Sequence, residues 1–160
     1  MVNTLILMIL SFFLSMLPFT ESGLAIPFTI SLGLEPWMAF VTGILGNIVI
    51  IPFIFLFLDF AHSYFMRFKF YRNNFNFVLV KIRKKEKEMK GQIEKYGYLG
   101  LALFIAIPFP LTGAYTASLL AWTLNLKRGK SMLFIALGVI IAAILVTLFY
   151  LGLIKFIGFF

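Results

Sequence analysis

Apolar residues run along this chain in stretches separated by short interruptions, and the same order of stretches occurs twice. The first run, Val2 to Leu17, spans ~24 Å as a helix, short of the ~30 Å hydrocarbon core of a bilayer. Pro18-Phe19-Thr20-Glu21-Ser22-Gly23 interrupts it. The second run, Leu24 to Leu34, covers only ~16 Å. Pro18 and Pro27 are read as helix breakers in this segment. Glu35-Pro36 follows, Trp37 has the position of an interfacial anchor, and Trp37 to Leu58 is long enough, at ~33 Å, to cross once. In the second half Leu99 to Ile107 is short, Pro108-Phe109-Pro110-Leu111-Thr112-Gly113 breaks it, and Ala114 to Leu126 is short again. Lys127-Arg128-Gly129-Lys130 then punctuates, and Ser131 to Gly152 can cross.

Between the halves the pattern changes. Asp59 to Asn76 mixes aromatic and basic residues, and residues 77–95 become amphipathic. Val78, Ile82, Met89 and Ile93 share one helical face, with lysines and arginines filling the other. Glu86 and Lys90 have the spacing of a helical ion pair. This segment reads either as a solvated cytoplasmic helix or as one resting on anionic lipid headgroups. The second reading is preferred, with Lys84, Lys85, Lys87 and Lys90 as the headgroup contacts.

The halves align at an offset of 90, where Leu17-Pro18-Phe19 meets Ile107-Pro108-Phe109 and Ser22-Gly23 meets Thr112-Gly113. At an offset of 92, Leu34 meets Leu126 and Gly46 meets Gly138. Internal repeats of this kind are common in transporters. The expected architecture is an all-α membrane protein of two inverted repeats. Residues 1–58 hold a re-entrant hairpin (2–34) and a transmembrane helix (37–58). A basic cytoplasmic linker covers 59–96, and residues 97–160 hold a second hairpin (99–126) and a second transmembrane helix (131–152). The alternative is four ordinary spans with proline kinks.

Charge placement bears on that choice. Residues 1–66 contain no Lys or Arg, ten of the fourteen lie between Arg67 and Lys95, and three more are Lys127, Arg128 and Lys130. If each broken segment enters and returns, these thirteen charges share one side, as the positive-inside rule prefers. Both termini then lie outside and the linker is cytoplasmic. The same clustering beside apolar runs argues for membrane orientation over nucleic-acid binding as the meaning of the +8 charge. With 62% hydrophobic and 12% charged residues the chain cannot cover a soluble surface. The N-terminal run has no basic n-region and no A-x-A site, so it is read as retained rather than as a cleaved signal.

Little catalytic chemistry is present. There is no cysteine and one histidine, His62, so thiolate sites, disulfides and His-based metal or triad sites lack material. No metal, cofactor or enzymatic activity is expected. Arg128-Gly129-Lys130-Ser131 echoes the end of a phosphate loop, but Leu124 stands where the first glycine belongs. Glu35 and Asp59 are read as solvated at span ends.

The breaks hold the candidate site. Non-helical backbone at membrane depth survives only where protein or water satisfies it. Two such breaks meeting near the midplane would aim two helix N-termini at a shared site suited to an anion, a phosphate or a carboxylate. Glu21 lies in one break, where burying an acid is expensive. It is read as a proton carrier or cation-binding carboxylate, against the plainer reading of a local helix cap. Ser22 and Thr112 are read first as N-caps, and Pro108 and Pro110 as breakers. Gly23, Gly113, Tyr115 and Thr116 are placed along the pathway. Asn47 is read as bonding to the opposite break or joining two helices.

These residues carry a resemblance. Tyr96-Gly97-Tyr98-Leu99-Gly100-Leu101 and Ile107-Pro108-Phe109-Pro110-Leu111-Thr112-Gly113-Ala114-Tyr115-Thr116 resemble the putative small multidrug export protein family. That family shows Tyr-Gly-x-x-Gly-Leu and then Pro-Leu-Pro-Gly-Thr-Gly-Ala-Trp-Thr-Gly. Glu21 with Ala25-Ile26-Pro27 is similar to the family's Glu-Leu-Arg-Gly-Ala-Ile-Pro, and Gly46-Asn47 and Pro52 also fit. The resemblance extends over nearly the whole chain. Leu111 replaces the usual glycine, Tyr115 the tryptophan and Ala117 the last glycine, and Gly23 stands in place of the family's arginine. The layout is more remotely similar to the DedA membrane proteins, a group associated with lipid-carrier translocation.

Three functions follow as expectations. The first is a small secondary transporter exporting an amphipathic or anionic solute, with proton coupling resting on Glu21. The second is a DedA-like translocase of a phosphorylated lipid carrier. The third is a non-transporting assembly or scaffold module. Expected partners are the bilayer and anionic headgroups, with self-association left open. For the linker, replacing Lys84, Lys85, Lys87 and Lys90 by Gln should weaken binding of a 77–95 peptide to anionic vesicles by ~1 kcal/mol per residue. Unchanged binding at low salt would mark a purely solvated helix.

Overall fold

A computed structural model describes residues 3–68, 96–107 and 113–157. The amphipathic segment 77–95 with Lys84, Lys85, Lys87 and Lys90, and the break residues Pro108, Pro110 and Thr112, lie outside the described residues. Among the described residues there are six helices: α1 (Thr4–Ser15), α2 (Glu21–Ser31), α3 (Pro36–Phe65), α4 (Tyr98–Ala106), α5 (Ala114–Thr123) and α6 (Arg128–Ile157). The described residues form helices and turns and no strand. The helix α3 and the 128–156 part of α6 are each long and apolar enough to cross a membrane.

The short runs become helices for local reasons. The Asn3 side chain caps α1 by accepting from the Leu5 N–H at 3.1 Å, and α1 stops just ahead of Pro18, which disfavours helix at the preceding residue. The ends of α2 and α5 are alike. Gly33 (φ 98°) follows α2, with the Leu34 N–H on the Thr29 carbonyl at 3.0 Å. Asn125 (φ 52°) follows α5, with the Leu126 N–H on the Ala121 carbonyl at 3.0 Å. Both are Schellman caps, which need a left-handed residue and therefore select Gly or Asn. Pro27 is not at a break. The helix α2 runs through it, so only Pro18 interrupts the first segment among the described residues. A proline inside a membrane helix is tolerated where neighbours re-satisfy the freed backbone.

Contacts fix the helix directions. Ser11 of α1 donates to the Ala39 carbonyl and Ser15 lies against Gly46, so α1 runs alongside α3 in the same direction. Ile26 of α2 packs on Gly43 and Ser22 on Asn47, so α2 runs back along α3. In the second half Tyr98 stacks on Phe134 and Ala102 touches Gly138, so α4 parallels α6. The long helices oppose each other: Asp59 of α3 pairs with Arg128 at the start of α6, while Ala143 shares a cluster with Ala39.

Small residues line these seams and large ones face outward, the arrangement expected where lipid is the solvent. Ser11, Ser15, Ala25, Ala39, Ala114, Ala117 and Ala121 are buried, while Leu5, Phe13, Phe53, Phe57 and Leu148 are exposed. At Gly46 a Cβ would collide with the Phe12 carbonyl, and at Gly138 with the Ala102 carbonyl at 2.8 Å. Phe12 and Ala102 are 90 positions apart and the glycines 92, the offsets at which the halves align.

Two lengths differ from the pattern of apolar runs. The helix α3 continues past Leu58 to Phe65, and α6 starts at Arg128. Asp59, expected to be solvated, is held instead in an ion pair with Arg128 at 2.7 Å and accepts from the Trp122 Nε1–H at 3.0 Å. These contacts make a further two turns of α3 worth forming.

Gly46→Ala and Gly138→Ala should each lower the unfolding midpoint in detergent, by an overpacking cost of about 1–3 kcal/mol. Gly152→Ala, where a Cβ meets nothing within 4 Å, should be neutral or stabilising. Equal effects at all three positions would refute close packing at the two seams.

Candidate functional site at the two breaks

The break after α1 is tightly folded. The Thr20 hydroxyl donates to the Leu14 carbonyl at 2.5 Å, folding the loop back over the end of α1. Phe19 (φ 78°) and Glu21 (φ 38°) both take left-handed backbone conformations, which non-glycine residues adopt only at a cost of order 1–3 kcal/mol. Helix α2 starts at Glu21, directly after this turn.

The carboxylate reaches the other half of the chain. The backbone N–H groups of Ala114 and Tyr115 donate to Glu21. They are the first two amides of α5, whose own N-cap, Gly113, offers no side chain to hold them. The carboxylate lies directly against Gly113, so closely that any Cβ there would overlap it. Glycine at 113 is therefore required by the approach of an acid from the opposite half. Glu21 is also the acidic residue in the first turn of α2. The carboxylate thus lies at the positive end of α5 from a position in the first turn of α2, and the α5 end expected to receive an anion already holds the chain's own.

A second contact crosses between the breaks. The Tyr115 hydroxyl donates to the Met16 carbonyl at 2.5 Å, satisfying a group left free where α1 ends. Ser22 is not an N-cap. It is buried in the first turn of α2 and accepts from Asn47 Nδ2 at 3.1 Å, tying that turn to the middle of α3. Asn47 is 1% exposed, and its Oδ1 has no hydrogen-bond partner among the described residues. The Ser118 hydroxyl, one turn into α5, is likewise buried and unpartnered. Buried polar atoms of this kind are uncommon in folded proteins.

The structure therefore brings together Glu21, Ser22, Asn47, Gly113 and Tyr115. Gly23 has open space around it and touches none of them closely. Thr116 faces away, into a groove between α3 and α5. That groove has a volume of about 510 Å³ and is lined mainly by apolar side chains of α3. It ends near Asp59, Trp122 and Arg128, and His62 stacks edge-on against Trp122 with ring centroids 5.1 Å apart.

The groove and the Asp59 cluster were missed from sequence. A hint was available for the cluster: Asp59 and Arg128 each border a long apolar run on the side that carries the basic residues. Among the described residues no group of three His, Cys, Asp or Glu side chains could hold a metal.

No curated protein and no solved structure matches this chain. A family model described as "Putative small multi-drug export protein" matches residues 21–145, a span that starts at Glu21 and takes in both breaks. The chain belongs to that family of membrane proteins.

Proposed function

We propose that the chain is a small secondary transporter that exports an amphipathic solute, with Glu21 as the group that carries protons or balances substrate charge. The observation that carries this reading is a half-buried carboxylate held between the two breaks by backbone donors of the opposite half. Holding an acid at membrane depth is costly, and such residues by default mark ion or substrate paths. The family's description as an export protein points the same way.

The proposal includes two re-entrant hairpins in inverted halves. Its support is the course of the helices: α1 runs with α3 and α2 against it, α4 runs with α6, and α3 opposes α6. Arg67 at the end of α3 and Lys127, Arg128 and Lys130 at the start of α6 then share one side, which the positive-inside rule assigns to the cytoplasm.

A translocase of a phosphorylated lipid carrier is the second reading. The groove between α3 and α5, lined by outward-facing apolar residues, favours it, because such a groove admits a lipid from the side. The occupied N-terminus of α5 counts against it, since the donors a phosphate would use are bound to Glu21. A scaffold role has no need of an acid at membrane depth, since a neutral acceptor would serve the amides of α5 at lower cost.

Single cysteines can be placed cleanly in a chain that has none. Labels at positions 35, 88 and 128 should report outside, inside and inside. Outside labelling at 128 would make the second broken segment a full crossing. For the mechanism, Glu21→Gln keeps size and hydrogen-bonding capacity but cannot titrate. It should insert and fold, yet lose pH-dependent transport in proteoliposomes. Normal pH-dependent activity in that variant would remove Glu21 from the transport cycle.

A further inference from the structure

The groove between α3 and α5 has a definite chemical character. Its walls include Phe53, Phe57 and Leu119, which are 57%, 67% and 47% exposed and so look outward rather than into the core. Its floor includes Ile54, and Tyr115 and Thr116 bring polar groups to the end nearest the breaks. The volume of about 510 Å³ falls within the range of about 300–1,000 Å³ that holds drug-sized ligands. A groove open on its outer side and apolar along its length suits a compound already dissolved in the bilayer.

Charge decides what kind of compound. Tyr115 lines the groove, and its backbone N–H is bound to Glu21, so the carboxylate lies just behind the inner end. No Lys or Arg occurs in residues 1–66 or in α5, and the basic residues of α6 are near its ends. The first two amides of α5, the donors an anion would need, are already taken by Glu21. Among the described residues, the charge that this end of the groove presents is therefore a single negative one, partly offset by the helix ends.

We propose that the α3/α5 groove is a lateral binding site for an amphiphilic cation, its apolar body lying along Phe53, Phe57 and Leu119 and its positive centre drawn toward Glu21. This rests on the transporter reading for its purpose, but binding can be measured without transport. An anionic amphiphile of the same shape would find the first two amides of α5 already taken and would be repelled by the same carboxylate.

Tetraphenylphosphonium and tetraphenylborate have the same shape and opposite charge, which makes them suitable probes. Equilibrium dialysis of the full chain in neutral detergent, with protein-free micelles subtracted, should show saturable binding of tetraphenylphosphonium. Tetraphenylborate should bind at least about tenfold more weakly. Glu21→Gln should weaken the cation by about tenfold or more, the usual worth of a contact to a charged group. Leu119→Trp, at an exposed position, should fill the groove and abolish binding, and Thr116→Phe provides a second obstruction from the inner end. Equal or stronger binding of tetraphenylborate would overturn the assigned charge. Undiminished cation binding in both filled variants would overturn the groove as the site. Cation binding as expected, in a protein that moves nothing in proteoliposomes, would sustain this site and end the export reading instead.

Discussion

The structure turns on one carboxylate meeting two amides. An α-helix that begins inside a membrane leaves its first N–H groups without partners, and hydrocarbon offers none. Helix α5 begins with Gly113-Ala114-Tyr115, and its N-cap, Gly113, has no side chain with which to cap it. Glu21, from the other half of the chain, supplies the acceptor. The same contact removes the isolation that would otherwise make Glu21 costly. Each break satisfies the other, and Tyr115 adds a return bond to Met16. The left-handed backbone at Phe19 and Glu21 is the local strain this geometry demands.

Around that contact the fold is assembled by close approach of small residues. Glycines at 46 and 138 let α1 and α4 lie almost backbone to backbone on α3 and α6, and alanines on α5 do the same toward the core. The bulky aromatic and aliphatic residues are left outside, where lipid solvates them at no loss. The result is a set of short helices held against two long ones by van der Waals packing and a few polar ties. One end is closed by Asp59 with Arg128 and Trp122.

Much of this was legible in the sequence because the signals were local or paired. The short runs, the prolines and the repeating order predicted the helices, and the offsets of 90 and 92 anticipated the matched glycine seams. Glu21 stands out because an acid in an apolar stretch needs a reason, and a meeting of the two breaks is the expectation its contact with Gly113 fits. Its local-cap reading failed in an informative way, since it caps the helix of the opposite half. What could not be read depended on long-range geometry. Pro27 was counted as a breaker because sequence does not show whether neighbours tolerate a missing bond. Asp59 was taken as solvated because Arg128 lies 69 positions away. The anion-binding expectation followed from two exposed helix ends, and sequence did not show that Glu21 takes the first two amides of one of them.

The contact between the breaks can be tested by covalent capture. Glu21→Cys with Gly113→Cys places two thiols where the carboxylate now meets the start of α5, in a chain with no other cysteine. With a protease site inserted in the basic segment between the halves, oxidation in native membranes should leave the two fragments joined until a reductant is added. Side chains that approach this closely are within the reach of a disulfide. Fragments that separate after oxidation, while both cysteines remain reactive to a thiol label, would contradict the meeting of the two breaks.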